Sequence, residues 1–341
     1  MAKRPTQGEV ARLAGTSTAV VSYVINNGPR PVSEETRQRV LDAIEKVGYR
    51  PNNLARALAF GQSTVFALLV PDLANPFLAQ MAQALEREFF SRGFSLLIGD
   101  SEDSLDREVS MVETMMSQQV AGVVWYGVEQ PLPLDIVEDS DLPVVLLNSP
   151  PGEEIPERRR GRTIRVRTDE RGHARIATEH LLNHGRTHIA HLGGPTGRLN
   201  ARERARGWSD ALKAAGQAPG THITAPFSRE GGLDAASTVA DLGCDAVVAS
   251  NEMQAVGLLA GLAQLGVTVP DDVAVVALNG TSGAAYTIPP LTALHLDLAG
   301  LSAGVADALR PDSEVTEVDT SAELVRRDSC GCRTSQKDSL V

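Results

Sequence analysis

The sequence predicts an α/β protein in three parts. A helix-turn-helix headpiece spans residues 1–50, a short hinge helix 51–62, and a two-lobed, doubly wound body 63–341. Three observations carry this reading. Two capped helices flank a glycine turn near the N-terminus. From Val65 onward, apolar runs alternate with helical periodicity. Charge is also split, basic at the head and acidic along the rest. A length of 341 residues exceeds one small domain and predicts two or three compact units.

The first helix opens at a capping box, Thr6-Gln-Gly-Glu9, in which the Thr hydroxyl satisfies a first-turn amide while Glu9 reaches back. It carries Val10, Leu13 and Ala14 and stops at Gly15, which takes a positive φ at low cost. Ser17 caps a second helix holding Val21, Val24 and Ile25. Ala11 is small where two helices must cross closely, and its distance along the chain from Val21 fits two helices on one core. A third helix starts at the Ser33 cap with Glu34 and Glu35 in its first turn. Its Val40, Leu41, Ile44 and Val47 recur at helical spacing, and Gly48 ends it.

Residues 1–60 hold nine Lys/Arg against five Asp/Glu, net +4, which leaves −15 on the remainder of a chain whose total is −11. A basic head on an acidic body suits phosphate attraction at one end only. The stretch from Pro51 to Phe60 is rich in Ala and Leu but too short to be a stable helix alone, so it should fold only against DNA or a partner. Gly61-Gln62-Ser63 reads as the exit into a new domain.

In the body, Val65–Val70 is the continuous apolar run of a buried parallel strand. Pro76 then opens a helix with Leu78, Met81, Ala82, Leu85 and Phe89 on one face. Further strands are expected at Ser95–Ile98, Gly122–Trp125, Val144–Leu147, His188–Leu192, Ala246–Ala249 and Val273–Ala277. Such alternation predicts two doubly wound lobes, with a ligand cleft beyond the carboxyl ends of the strands.

Other classes fit less well. No signal-peptide core and no long apolar span is present, so a cytoplasmic protein with no membrane partner is expected. Gly193-Gly-Pro-Thr-Gly197 follows a strand but lacks the Gly-Lys-Ser/Thr ending of a phosphate-binding loop, and no catalytic constellation stands out. No catalytic residue and no cofactor is expected. A small-molecule receptor without a DNA role would share the body but not the headpiece. Cys330-Gly-Cys332 lacks ligand-type neighbours in the chain. His180 and His184 are four apart on a predicted helix, yet Gly185 ends it, and His188 and His191 alternate across the next strand. Surface and packing roles are therefore expected for the histidines, and no metal.

Several pieces in order now carry a resemblance: Glu9-Val-Ala-Arg-Leu-Ala-Gly15, Val32-Ser-Glu-Glu-Thr-Arg37, Gly48-Tyr-Arg-Pro-Asn52, Pro71-Asp-Leu-Ala-Asn-Pro-Phe77, Ala201-Arg-Glu-Arg204 before Gly207-Trp208, and Ile288-Pro-Pro-Leu-Thr292. Together they resemble the lactose-repressor (LacI/GalR) family of bacterial transcription regulators over nearly the whole chain. The resemblance implies a homodimer on a pseudo-palindromic double-stranded DNA operator, with the second helix in the major groove. Thr18, Ala19 and Tyr23 match its base readers, and Ser17, Ser22 and Asn26 its phosphate grips. Thr6, Arg30 and Asn52 complete the DNA-contact set with the hinge residues Ala55 and Leu58. Leu58 matches a leucine that enters the minor groove and unstacks a base step.

The same resemblance implies a periplasmic-binding-protein-like sensor body. Its N-lobe covers about 63–167 and 295–320, and its C-lobe about 168–294 and 321–330. It also implies a small-molecule effector held by Asn75, Phe77, Asn148, Arg198, Arg202, Phe227, Asn251 and Asn279. Asn279 and Asn148 stand where the family often has Asp, and Arg198 adds a positive charge four residues before Arg202. These departures suggest an effector carrying phosphate or carboxylate, with a neutral sugar or nucleoside as the alternative.

Overall fold

The computed structural model describes residues 5–26, 28, 30–49, 63–127, 132–147 and 160–332. The chain divides into two compact units, Met1–Thr64 and Val65–Val341. In the first, α1 (Gln7–Ala14), α2 (Thr18–Asn26) and α3 (Glu34–Val47) enclose a core of Val10, Ala11, Ala14, Val21, Val24, Val40 and Ala43. The caps close as the residue types require. Thr6 Oγ1 accepts from Glu9 N at 3.3 Å, and the Glu9 carboxylate accepts from Thr6 N at 2.8 Å. Ser17 Oγ accepts from Val20 N at 3.3 Å, and Ser33 Oγ from Thr36 N at 3.4 Å. Gly15 and Gly48 end their helices at φ 62° and 64°, in the left-handed region. The hinge positions 51–62 lie outside the described residues.

The second unit holds two six-stranded sheets. Strands β1 (Val65–Val70), β2 (Ser95–Asp100), β3 (Val123–Trp125), β4 (Val144–Leu146) and β5 (Thr163–Arg167) join β11 (Glu317–Asp319). Their spatial order is β11-β5-β4-β3-β1-β2, every pair parallel. In the second sheet, β6 (Ile189–Gly193), β7 (His222–Thr224), β8 (Ala246–Ala249), β9 (Ala274–Ala277) and β10 (Thr292–Leu296) join β12 (Ala322–Val325). The order is β12-β10-β9-β8-β6-β7, parallel except that β12 runs antiparallel to β10. The chain therefore crosses between lobes three times: after β5, after β10 and after β11.

Helices cover both faces of each sheet, so the central strands bury every side chain, as in β6, β8 and β9. The helices are α4 (Pro76–Ser91), α5 (Leu105–Ser117), α6 (Glu170–Asn183), α7 (Leu199–Ala214), α8 (Arg229–Asp241), α9 (Glu252–Gln264) and α10 (Leu298–Ala308). Strands β5, β7, β10, β11 and β12 were not foreseen from the sequence. Three of them interleave charges, as in Thr-Ile-Arg-Val-Arg of β5, Glu-Val-Asp of β11 and Ala-Glu-Leu-Val of β12, which masks an apolar run. No helix among the described residues is long and apolar enough to cross a membrane.

Glycines bring two helix pairs into backbone contact. A Cβ on Gly257 of α9 would lie 1.8 Å from the Arg229 carbonyl oxygen of α8, and one on Gly207 of α7 2.0 Å from the Arg171 carbonyl oxygen of α6. Beneath α7, His191 of β6 is fully buried and stacks on Trp208, ring centroids 5.6 Å apart. Its Nε2 lies 2.9 Å from Ser250 Oγ and its Nδ1 3.0 Å from His222 Nδ1. Burial, with help from the nearby His222 and Arg204, pushes its pKa down to about 3.

The C-terminal segment departs from expectation. After β12 a 3-10 turn, Asp328–Cys330, lays Cys330 and Cys332 against His180 of α6 and His184 at its C-cap. The two motifs are distant in sequence, and only the packing of the C-terminal turn on α6 unites them.

Two stability predictions follow from this packing. Gly257→Ala should cost on the order of 1–3 kcal/mol, because backbone on both sides of the contact cannot yield. The loss would be read as a lower urea midpoint, while Gly197→Ala, which meets nothing within 4 Å, should leave the midpoint in place. The unfolded chain takes a proton on His191 near the ordinary value of 6.5, whereas the folded chain refuses it until about pH 3. Its contribution is thus intact above pH 6.5 and lost as pH falls below that value, about 2 kcal/mol by pH 5. Comparing urea midpoints at pH 7 and pH 5, His191→Gln should show a drop smaller than wild type by that amount.

Candidate functional site

In a parallel sheet, loops leaving two neighbouring strands in opposite directions open a crevice at their carboxyl ends. Here β1 lies between β2 and β3, and β6 between β7 and β8. The loops after β1, β2, β3, β6, β7, β8 and β9 line one cavity of about 450 Å³, with walls from both lobes. That volume suits a small ligand.

From the first lobe come Asn75, Phe77 and Tyr126. Asn75 caps α4, its Oδ1 accepting from Phe77 N at 3.0 Å, which fixes the Phe77 ring in the wall. From the second lobe come Arg198, Phe227, Asn251 and Asn279. Asn251 caps α9 through Gln254 N at 2.8 Å. The Phe227 ring lies over Gly194, where a Cβ would approach it to 2.1 Å. Asn279 adopts φ 52°, a left-handed conformation that Asn tolerates better than most residues. Arg198 precedes α7 and reaches across the cleft to pair with Asp103 of the first lobe. Gln80 Nε2 donates to Ser282 Oγ at 2.7 Å, a second bond between the lobes. Asn148 lies outside the described residues.

Arg202 does not reach this cavity. It is exposed, and its guanidinium donates to the carbonyls of Thr196 and Gly197 at 3.3 and 3.0 Å, beside a separate hollow. Two residues along a helix turn by about 200°, so Arg204 rather than Arg202 faces the cleft. Arg204 is 1% exposed and lines the cavity. Its Nε and Nη2 donate to Glu170 at 2.7 and 2.9 Å, and its Nη1 to Ser250 O at 2.6 Å. Burial alone would lower its pKa, but Glu170 more than offsets that and the guanidinium stays charged. Burial, reinforced by the Glu170 charge, pushes the Tyr126 phenol up to about 12, so it remains a neutral hydroxyl. Asn200 Nδ2 lies 3.5 Å from that hydroxyl.

Sequence reasoning missed Arg204, Tyr126 and the carboxylates. Asp72, Asp100, Glu102, Asp103 and Glu252 all line the cavity. Amide or hydroxyl donors orient several of them: Asp100 accepts from Leu73 N at 3.0 Å and Glu102 N at 2.9 Å, and Glu252 from Thr281 Oγ1 at 2.8 Å. Both cavity arginines carry a carboxylate partner. Three arginines outside it are committed elsewhere: Arg162 to the carbonyls of Ala308 and Arg310 at 2.8 and 2.9 Å, Arg167 to Glu317 at 3.0 Å, and Arg171 to Asp210 at 2.6 Å. The cavity wall is therefore rich in oriented acceptors and holds no cluster of unpaired cations among the described residues.

In the headpiece, Ser17, Thr18 and Ala19 are exposed at the start of α2, while Val21 and Val24 on its other face are buried. Gln7 Nε2 donates to Thr18 O at 3.3 Å and pins α1 to this end. Ser22 and Tyr23 are half-buried, and Thr6 and Arg30 exposed. The side chain of Asn26, with Asn52, Ala55 and Leu58, lies outside the described residues. The first turn of α2 thus presents hydroxyls and a methyl together with the positive end of the helix, a surface suited to phosphate and base edges.

Residues 6–52 match the family described as bacterial regulatory proteins, lacI family, and residues 178–330 match a periplasmic binding protein-like domain. The chain is 33% identical over 296 residues to the ribose operon repressor of Escherichia coli (strain K12), covering 85% of this chain and 87% of that one. Among solved structures, the Lac repressor bound to ONPG in the repressed state shares the fold, with TM-score 0.84, 24% identity, and 96% and 100% of the two chains covered. A complex of the transcriptional regulator CelR with cellobiose matches at TM-score 0.69 and 28% identity, covering 96% of this chain and 100% of that one. Identity at that level along most of both chains reflects common descent as well as common fold, and the chain belongs to the lacI family of bacterial regulatory proteins.

Proposed function

We propose that this regulator binds a pseudo-palindromic operator as a homodimer in the bacterial cytoplasm, at the nucleoid, and represses transcription there. It acts by binding rather than by catalysis. A small uncharged polyhydroxy compound, a sugar, sits between the lobes and sets operator affinity. The observation that carries the ligand class is the charge pairing in the cavity: Arg198 and Arg204 each hold a carboxylate, and the wall carries further carboxylates. Oriented carboxylates accept hydroxyl hydrogens, and Phe77 and Phe227 offer flat apolar faces to a sugar ring. A phosphate or carboxylate would meet repulsion from those acids without a free cation in return. The anionic effector suggested by Asn279 and Arg198 is thus the weaker reading, because the Arg198 charge already serves Asp103. Two of the relatives' names agree with a sugar, one a ribose operon repressor and one a complex with cellobiose.

On the DNA side, Ser17, Thr18, Ala19, Ser22 and Tyr23 meet the major groove, and Asn52, Ala55 and Leu58 act at the minor groove. The full chain should retard an operator fragment with affinity falling steeply as salt rises, since Lys and Arg displace counterions. Deleting residues 1–60 should abolish retardation in a gel-shift assay while the body still binds ligand. Equal retardation by the truncated chain would overturn the DNA reading.

For the effector, thermal-shift screening of pentoses, hexoses and their phosphates should give the larger rise with the neutral sugars. Phe227→Ala should then weaken the best sugar by about tenfold in calorimetric titration, equivalent to about 1.4 kcal/mol, and Arg202→Ala should leave it unchanged. A phosphorylated sugar binding more tightly than its parent would overturn the neutral-ligand reading and leave operator binding untouched.

A further inference from the structure

Cys330, Cys332, His180 and His184 converge on one point in the second lobe, with all four ligand atoms within 4.8 Å of one another. His180 Nε2 lies 3.2 Å from Cys330 Sγ and 3.7 Å from Cys332 Sγ, and His184 Nε2 lies 3.3 Å from Cys332 Sγ. We propose that these four side chains form a tetrahedral Cys2His2 site for a structural zinc ion, which fastens the C-terminal turn to helix α6.

The geometry carries the assignment. Zinc bonds of about 2.3 Å to sulfur and about 2.0–2.1 Å to nitrogen give tetrahedral edges of about 3.3–3.8 Å between ligand atoms, close to the three separations above. Cys332 Sγ faces both imidazole nitrogens and His180 Nε2 faces both sulfurs, the mutual approach expected of ligands that share one ion. The local sequence builds the convergence. His180 lies in the last turn of α6 and His184 is its C-cap, four residues on, so the two rings fall on one side of the helix end. Between the cysteines, Gly331 turns the chain at φ 91°, bringing the second sulfur back beside the first.

The donor set selects the ion. Two sulfurs and two imidazoles in tetrahedral array favour zinc over calcium or magnesium, which require oxygen ligands. Binding releases both thiol protons to solvent, and two thiolates with two neutral imidazoles exactly cancel the charge of Zn²⁺. A neutral centre lowers the cost of burial around Cys330, whose relative exposure is 0%. Thr292 Oγ1 lies 3.0 Å from Cys330 Sγ and can donate its hydrogen to the thiolate, a second layer of support for the metal. All four ligands come from the protein, so no position is left open for substrate, which marks a structural rather than a catalytic ion. Such a clip joins residues 150 positions apart and restricts the unfolded chain accordingly.

The test uses the full chain without a polyhistidine tag, reduced and stripped of metal, with Zn²⁺ and Co²⁺ as probes. One equivalent of Zn²⁺ should bind per chain. Co²⁺ should give sulfur-to-metal charge-transfer bands in the near ultraviolet and the intense visible absorption of a tetrahedral site, both lost on adding Zn²⁺. Cys332→Ser and His184→Ala alter the less buried ligands and should fold, which circular dichroism would verify. Each should weaken Zn²⁺ by at least about 100-fold, the upper end of what loss of an outer-shell partner causes. Chelation should lower the melting temperature of wild type but not of the Cys332→Ser, His184→Ala double variant. The site is overturned if Co²⁺ gives only weak octahedral-type absorption, or if the variants retain Zn²⁺ as well as wild type. It is equally overturned if mass spectrometry finds a Cys330–Cys332 disulfide that forms as readily with Zn²⁺ present as without it.

Discussion

A buried guanidinium cannot be left half-paired, and the cleft of this protein is organised around one that is not. Arg204 draws Glu170 from the first residue of α6 and the Ser250 carbonyl from the end of β8 into one network. Removing either partner would leave a charge or a polar atom stranded in a low-dielectric site, a penalty larger than the net gain of most ion pairs. The requirement reaches outward. Helix α7 can bring Arg204 to Glu170 only because Gly207 allows α6 and α7 to touch backbone to backbone. His191 beneath them stays neutral because burial and the same positive charge oppose its protonation.

The pairing also shapes what the cleft can bind. Once Arg204 and Arg198 are committed to Glu170 and Asp103, the wall offers carboxylate and hydroxyl groups rather than free cations. The Arg198–Asp103 pair spans the lobes, as does the bond from Gln80 to Ser282. Contacts of this kind exist only while the lobes are close together. A ligand that touches both walls shifts the balance between open and closed forms by its differential affinity for them. Linkage requires that the same difference act on any other equilibrium coupled to closure, operator binding included.

The headpiece is built by simpler means. Side-chain and glycine caps at Thr6, Gly15, Ser17, Ser33 and Gly48 terminate three short helices, and a handful of small apolar residues hold them together. Its exposed groups are short and polar at the start of α2. At the other end of the chain, the C-terminal turn depends on a distant helix for its partners, a different strategy from the self-contained headpiece.

Local chemistry settled much of this in advance. Capping boxes, glycine stops and apolar runs act within a few residues, so the headpiece helices and the central strands were legible from the sequence. Six of the eight positions that the family resemblance suggested for an effector line one cavity, Asn75 and Asn251 among them as helix caps. The family likeness was readable because its motifs lie in order along the chain. Tertiary packing alone decided the rest. Whether Arg202 or Arg204 faces the cleft depends on the rotation of α7 about its axis, which Gly207 sets by contact with α6. The charged strands β5, β11 and β12 become strands because a neighbouring ladder accepts their backbone, not because their side chains favour it. His180 and His184 could be seen as one pair and Cys330 and Cys332 as another, but their meeting required the chain to cross between lobes and return. Sequence spacing determines what lies within a few residues, and only the closed fold determines which distant groups share a point in space.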